Sequence, residues 1–66
     1  ASSELDGAEY YMKRGAYLAA VNRANYVLKN IPNSTERERA LRILKEAYKQ
    51  LGYDEYAEKI SSFETN

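Results

Sequence analysis

The chain has 66 residues, no Cys and no His, and ten basic against ten acidic side chains. A chain this short forms a single domain with a small core, and without Cys or His it has no disulfide, no thiolate or imidazole metal site and no Ser–His or Cys–His nucleophile pair. Residues 1–33 carry four basic and three acidic side chains and residues 34–66 carry six and seven, so neither half predicts a nucleic-acid or anionic-membrane surface. No apolar run approaches the ~18 residues that a membrane span needs, and no signal peptide opens the chain. These features predict a small soluble, non-enzymatic domain, with no direct membrane insertion by this segment.

Gly15, Pro32 and Gly52 divide the chain into four segments of helical periodicity. The first spans about residues 3–14. Leu5, Ala8, Tyr11 and Met12 fall on one face, Ser3 is a candidate cap, and Asp6 suits the first turn. Gly7 weakens this helix by about 1 kcal/mol relative to Ala. The second spans about residues 17–30, with a stripe of Tyr17, Ala20, Val21, Ala24, Leu28 and Ile31. Pro32 cannot continue the helix and restricts Ile31 before it.

The third segment has the strongest pattern: Ala40, Leu41, Leu44, Ala47, Tyr48 and Leu51 share one face. Thr35 and Glu38 have the spacing of a capping box, and Glu38–Arg42 and Arg42–Glu46 are candidate i,i+4 pairs on the wet side. The fourth spans about residues 54–63, with Asp54 as candidate N-cap and an apolar stripe of Tyr56, Ala57, Ile60 and Phe63. No segment alternates with period two. Short connections make neighbouring helices antiparallel, so the expected fold is all-α: two stacked antiparallel helical hairpins.

The halves repeat. Tyr11 matches Tyr48, Gly15 matches Gly52 and Ala20 matches Ala57, each offset by 37 residues (48−11, 52−15, 57−20). Each recurring type has a physical role. Gly15 and Gly52 suit the left-handed backbone just past a helix end. Ala20 and Ala57 let the second helix of a pair approach the first, and Tyr11 and Tyr48 fill the space opposite. Domain boundaries follow as a single domain, 1–66, with a first unit at 1–34 and a second, truncated unit at 35–66.

Helix–turn–helix units of this length resemble the tetratricopeptide repeat. Ala8, Tyr11, Gly15, Tyr17, Ala20 and Pro32 carry the resemblance in the first unit, and Leu41, Leu44, Tyr48, Gly52 and Ala57 carry it in the second. The run YYMKRGAYLAAVNRA at residues 10–24 is more specific. With Tyr26-Val27-Leu28, Pro32-Asn33-Ser34, Ala40-Leu41, Ala47-Tyr48, Leu51-Gly52 and Ala57, it is similar to the BamD (ComL) family. The resemblance implies the last two repeats of a periplasmic lipoprotein of the machinery that inserts β-barrels into the Gram-negative outer membrane. It also implies docking of these repeats onto the periplasmic part of the barrel subunit BamA, and a location at the periplasmic face of that membrane. The family's lipid-attachment Cys and first three repeats are absent here, which predicts a fragment. Ile31 replaces the usual aromatic before Pro32, and residues 61–66 are less aliphatic than the family's last helix. The alternative is a designed mini-repeat with no natural partner.

Candidate partner-binding residues follow, each beside its structural reading. Tyr11, Tyr17, Tyr48 and Tyr56 lie on apolar faces and read as core. Tyr10, Tyr26 and Tyr53 fit those stripes less well, and an aromatic with a polar tip suits a half-wet interface. Lys13 and Arg14 suit a helix C-terminus or a small basic contact. Arg23, like Arg14, lies in the family-like run, where an arginine holds a carboxylate across helices or across an interface. Asn22 and Asn25 are poor helix formers in a helix middle and read as hydrogen-bonding to a turn or a partner. In this repeat class the first helices of successive units line a concave face. Here that face comprises Leu5, Asp6, Glu9, Met12 and Lys13, then Arg39, Arg42, Ile43, Glu46, Lys49 and Gln50. Its mixed charge fits a peptide groove or an ordinary solvated face.

Asp54, Glu55 and Glu58 read as helix N-terminal charges rather than a catalytic carboxylate pair. There is no phosphate loop or nucleophile elbow, so no catalytic, cofactor or metal residue is assigned. Two units are fewer than repeat arrays usually need. The ends are therefore expected to expose Leu5 and Met12 at the front and Ile60 and Phe63 at the back, and to favour a homodimer.

Overall fold

The computed structural model describes residues 4–31 and 34–64, with side chains for 4–31 and 35–62. The described residues form four helices: α1 (Glu4–Lys13), α2 (Tyr17–Asn30), α3 (Ser34–Gln50) and α4 (Asp54–Glu64). No strand occurs among the described residues. Each helix packs on the next, and α1 also reaches α3. The result is an all-α, tetratricopeptide-like slab of 33 × 30 × 14 Å. The capping expectation at Ser3 and the helix stop at Pro32 lie outside the described residues. Ile31, just before Pro32, is extended at φ −124° and ψ 97°, as a residue preceding proline should be.

The recurring glycines close the helices. Gly15 and Gly52 have φ of +75° and +84°, and no non-glycine among the described residues has positive φ. After α1, the Ala16 amide donates to the Tyr11 carbonyl at 2.9 Å and the Gly15 amide donates to Met12 at 3.1 Å. After α3, the Tyr53 amide donates to Tyr48 at 2.8 Å and the Gly52 amide donates to Lys49 at 3.1 Å. Both ends are Schellman motifs, with glycine in the left-handed position and the tyrosine carbonyl accepting from the residue after the glycine. The repeat of Tyr and Gly at one offset is therefore the repeat of one helix end. A Cβ built on either glycine would meet nothing within 4 Å, so substitution strains the backbone alone. Gly15→Val is expected to cost about 1–2 kcal/mol, read as a lower urea midpoint. An unchanged midpoint would contradict this geometry.

The next helix starts from the same turn. The Ala16 and Tyr53 carbonyls accept from the Ala20 and Ala57 amides, each at 3.1 Å. Tyr53 rather than Asp54 thus caps α4, and Asp54 and Glu55 occupy its first turn, where their charge favours the helix dipole. Thr35 lies inside α3 and does not cap it, so the expected capping box fails.

The core is a thin layer of small and medium side chains. Leu5, Ala8, Val21, Ala24, Val27, Ala40, Leu41, Leu44, Ala47 and Ile60 form one buried cluster, with Met12, Tyr17, Leu28, Ile31, Tyr48 and Leu51 packed half-buried against it. The α3 face is as the sequence predicts. Three expectations are corrected. Leu5 is wholly buried, and Ile60 is also buried. Neither is an exposed end residue, because the inner faces of α1 and α4 are covered by the neighbouring helices of the same chain. Tyr56 is 52% exposed rather than in the core, and its ring lies beside those of Tyr48 and Tyr53, at 5.4 and 5.8 Å. The Phe63 side chain lies outside the described residues. Among those described, the exposed large hydrophobic side chains are Tyr10, Leu18, Tyr26, Tyr53 and Tyr56.

Candidate protein-docking face

Helix α1 ends and α2 begins across the three residues 14–16. This tight turn sets the last turn of α1 beside the middle of α2 and gathers five of the candidate residues. The Tyr10 ring meets the Tyr11 ring edge-on, with centroids 5.8 Å apart. The Arg14 guanidinium lies 5.5 Å over Tyr10, a cation–π contact at a largely exposed site. From α2, Ala19, Asn22, Arg23 and Tyr26 join Tyr11 around an open depression of about 310 Å³. Tyr10 and Tyr26 are more than half exposed. Tyr10, Arg14, Asn22, Arg23 and Tyr26 therefore form one aromatic and basic face.

Arg23 reaches across the helix pair. Its Nη1 donates to Glu4 at 3.2 Å, and its guanidinium crosses near Gly7, where a Cβ would sit 3.5 Å from Nε. That is ordinary contact, so Gly7 is not required by space. The carboxylate expected for an arginine in this run is thus found within the chain. The pair is roughly half exposed on both sides, so it bridges α1 and α2 but adds little stability.

The concave face is bridged rather than open. Arg39 on α3 pairs with Glu9 on α1, lies 3.9 Å from Asp6, and reaches Glu36 on its own helix at 3.4 Å. The hydrogen bond to Glu9 is the chief cause that raises the Arg39 pKa above its ordinary value, against a smaller lowering by desolvation. This clasp bridges α1 and α3 above the buried cluster that they share. Leu5, expected on this face, is buried beneath it, and Met12 is half-buried against the core. Lys13 and Arg42 are exposed away from any ion pair among the described residues. Glu46 accepts from Gln50 at 3.0 Å instead of pairing with Arg42.

Tyr53 sits at the other end of the slab. With Gly52, Asp54, Glu55 and Tyr56 it lines a second open depression of about 560 Å³. It is not joined to the α1–α2 face. Sequence reasoning assigned no role to Ala19 or to the exposed Leu18. The signal for Ala19 was available in the 37-residue offset, which sets it against Tyr56.

No group of His, Cys, Asp and Glu suited to a metal ion occurs among the described residues, and no helix among them is long and apolar enough to cross a membrane. Helical pairs closed by a recurring glycine turn, with side chains gathered on an exposed face rather than in a cleft, define a tetratricopeptide-type repeat unit. The chain belongs to the YfiO family, described as outer membrane lipoprotein, whose family model matches residues 1–63. It is 46% identical over 55 residues to the outer membrane protein assembly factor BamD of Neisseria meningitidis serogroup A, covering 83% of this chain and 21% of that protein. It is 49% identical over 49 residues to the same factor of Neisseria gonorrhoeae, covering 74% and 18%. With that of Vibrio cholerae it shares 36% over 59 residues, covering 89% and 24%. The chain thus spans a quarter or less of the length of these curated relatives. No solved structure matches it.

Proposed function

We propose that the chain is a non-catalytic docking unit of an outer-membrane β-barrel assembly machinery, binding the periplasmic part of a BamA-like barrel subunit through the α1–α2 face. In this reading residues 1–34 and 35–66 are successive repeat units of a lipoprotein at the periplasmic face of the outer membrane. The observation that carries it is the gathering of Tyr11, Asn22, Arg23 and Tyr26 around one open depression, with the Tyr10 ring against Tyr11 and Arg14 over Tyr10. Aromatic and arginine side chains are the types enriched where protein partners bind. The names of the relatives, assembly factors of outer membrane proteins, supply the setting.

The test is calorimetric titration of the chain with the purified periplasmic domains of a BamA-like subunit. The Arg14→Glu, Tyr26→Ala double variant is expected to lose at least about tenfold in affinity, the scale of one interface hot spot. Lys59→Glu, on α4 away from the face, is expected to bind as the parent does. Absence of binding by the parent chain, or equal loss in both variants, would overturn this assignment.

A further inference from the structure

The exposed tyrosines differ in what lies over their rings. The Arg14 guanidinium lies 5.5 Å over Tyr10, and Lys59 Nζ lies 5.8 Å over Tyr56. Tyr26 shares its depression with Arg23. Tyr53 is 48% exposed, and no cation among the described residues lies over its ring. Its ring neighbour is Tyr56, with centroids 5.8 Å apart and planes at 79°, and such an edge-on contact covers at most one face of Tyr53. Tyr53 lines the depression of about 560 Å³ at the α3–α4 turn, whose charged lining residues are Asp54 and Glu55. Both are exposed, and neither has an ion pair among the described residues.

We propose that this depression takes an arginine side chain, carried by a basic segment of a partner protein. The site lies outside the α1–α2 face, and the proposal does not rest on the docking assignment above. Charge fixes the sign of the occupant. The N-terminus of α4 contributes the equivalent of about half a positive charge, against two full carboxylate charges, so the depression remains negative. The adjoining groove sets Lys45 and Lys49 beside Asp54 and Glu58 and is balanced in charge, and Lys59 is held over Tyr56. None of these lysines lines the Tyr53 depression, so a cation from outside is its complement. Geometry selects arginine over lysine. A planar guanidinium stacks flat on an aromatic ring and donates from its edge to a carboxylate beside that ring, whereas an ammonium is a strongly hydrated point charge. The chain makes the stacked half of this contact itself, with Arg14 on Tyr10. Tyr53 supplies the ring, Asp54 and Glu55 supply the acceptors, and Tyr56 braces Tyr53 edge-on.

The probe is a capped pentapeptide with a central arginine between glycines, titrated into the 15N-labelled chain. The same peptide with citrulline, the neutral isostere of arginine, is titrated beside it. The arginine peptide is expected to shift the amides of Gly52, Tyr53, Asp54 and Glu55. It is expected to bind about tenfold more tightly than the citrulline peptide, the scale of a surface cation–π contact and an ion pair together. Tyr53→Leu keeps an apolar side chain and the backbone carbonyl that accepts from the Ala57 amide. It is expected to leave the melting temperature unchanged and to reduce the preference for arginine below about threefold, by loss of the ring contact. Should Tyr53→Leu fail to fold, Glu55→Gln, on the exposed surface, decides instead and is expected to reduce the preference to the same extent. Arg14→Gln, on the α1–α2 face, is expected to bind both peptides as the parent does. Equal binding of the two peptides, shifts centred on the α1–α2 face, or an unaltered preference in folded Tyr53→Leu or in Glu55→Gln would each overturn the proposal. Shifts of the same four amides on concentrating the chain alone, abolished by Arg14→Gln, would make the occupant a second copy and overturn it as well.

Discussion

Leu5→Ala is expected to remove about 2–5 kcal/mol of stability, the range for a leucine deleted from a core. Leu5 is wholly buried and belongs to the main cluster with Ala8, Val21 and Leu44. A 66-residue chain at roughly 0.05–0.15 kcal/mol per residue has only about 3–10 kcal/mol in total, so the variant lies near the limit of folding. Leu18→Ala is the matched comparison. Leu18 is 62% exposed, and its truncation is expected to change stability by no more than about 0.5 kcal/mol. Urea midpoints of the two variants check this. Equal and small losses would place Leu5 at the surface, where the small number of repeat units alone would put it.

The contrast between Leu5 and Leu18 shows where the sequence was legible and where it was not. The helices were legible because their stripes recur at helical spacing and because a positive φ admits glycine almost alone. Gly15 and Gly52 could therefore be read directly as helix ends. Burial at the ends of the array was not legible. The stripe says that Leu5 and Ile60 face inward on their own helices, but not whether a neighbour covers that face. Helix α1 is covered because it meets both α2 and α3. Val27 was overlooked for a related reason: Val27 and Leu28 lie three and four residues past Ala24, and periodicity does not say which of them points inward. In the structure Val27 is wholly buried and Leu28 only partly. Tyr56 fails the other way. It stands at the margin of the α4 stripe, and α4 covers α3 with Ala57 and Ile60, leaving Tyr56 against the side of Tyr48.

The candidate site was legible in its residue types and not in its connections. Tyr10, Tyr26 and Tyr53 were separable from the core because they leave the stripes, and all three are about half exposed. That Arg39 is bound by Glu9, Asp6 and Glu36, while Arg14 lies over an exposed tyrosine, depends on distances between helices that no spacing encodes. The sequence thus placed Arg14, Arg23 and Arg39 in one class. The structure divides them into two helix clasps, Arg23 and Arg39, and one arginine stacked on Tyr10.

Ala20→Leu is expected to cost about 1–3 kcal/mol by overpacking. Ala8 on α1 and Ala20 and Ala24 on α2 are all wholly buried, so the buried face of this helix pair is built from small side chains. Interaxial distance depends on the side chains at the contact, and methyl groups allow the close approach that keeps Tyr10 and Tyr11 beside the middle of α2. Leucine at position 20 adds an isopropyl group where no solvent-facing space exists. Either the helices separate, which disturbs the depression between Tyr11 and Tyr26, or the new side chain takes a strained rotamer. For a domain of this size each 1 kcal/mol lowers the melting temperature by about 4–8 °C, so the loss is readily seen in a thermal melt followed by circular dichroism. Ala57, the equivalent residue of the second unit, is 3% exposed, and Ala57→Leu is expected to fall in the same range. A melting temperature unchanged by Ala20→Leu would mean that α1 and α2 are not in close contact there, and that the alanine repeated at 37 residues has no packing role.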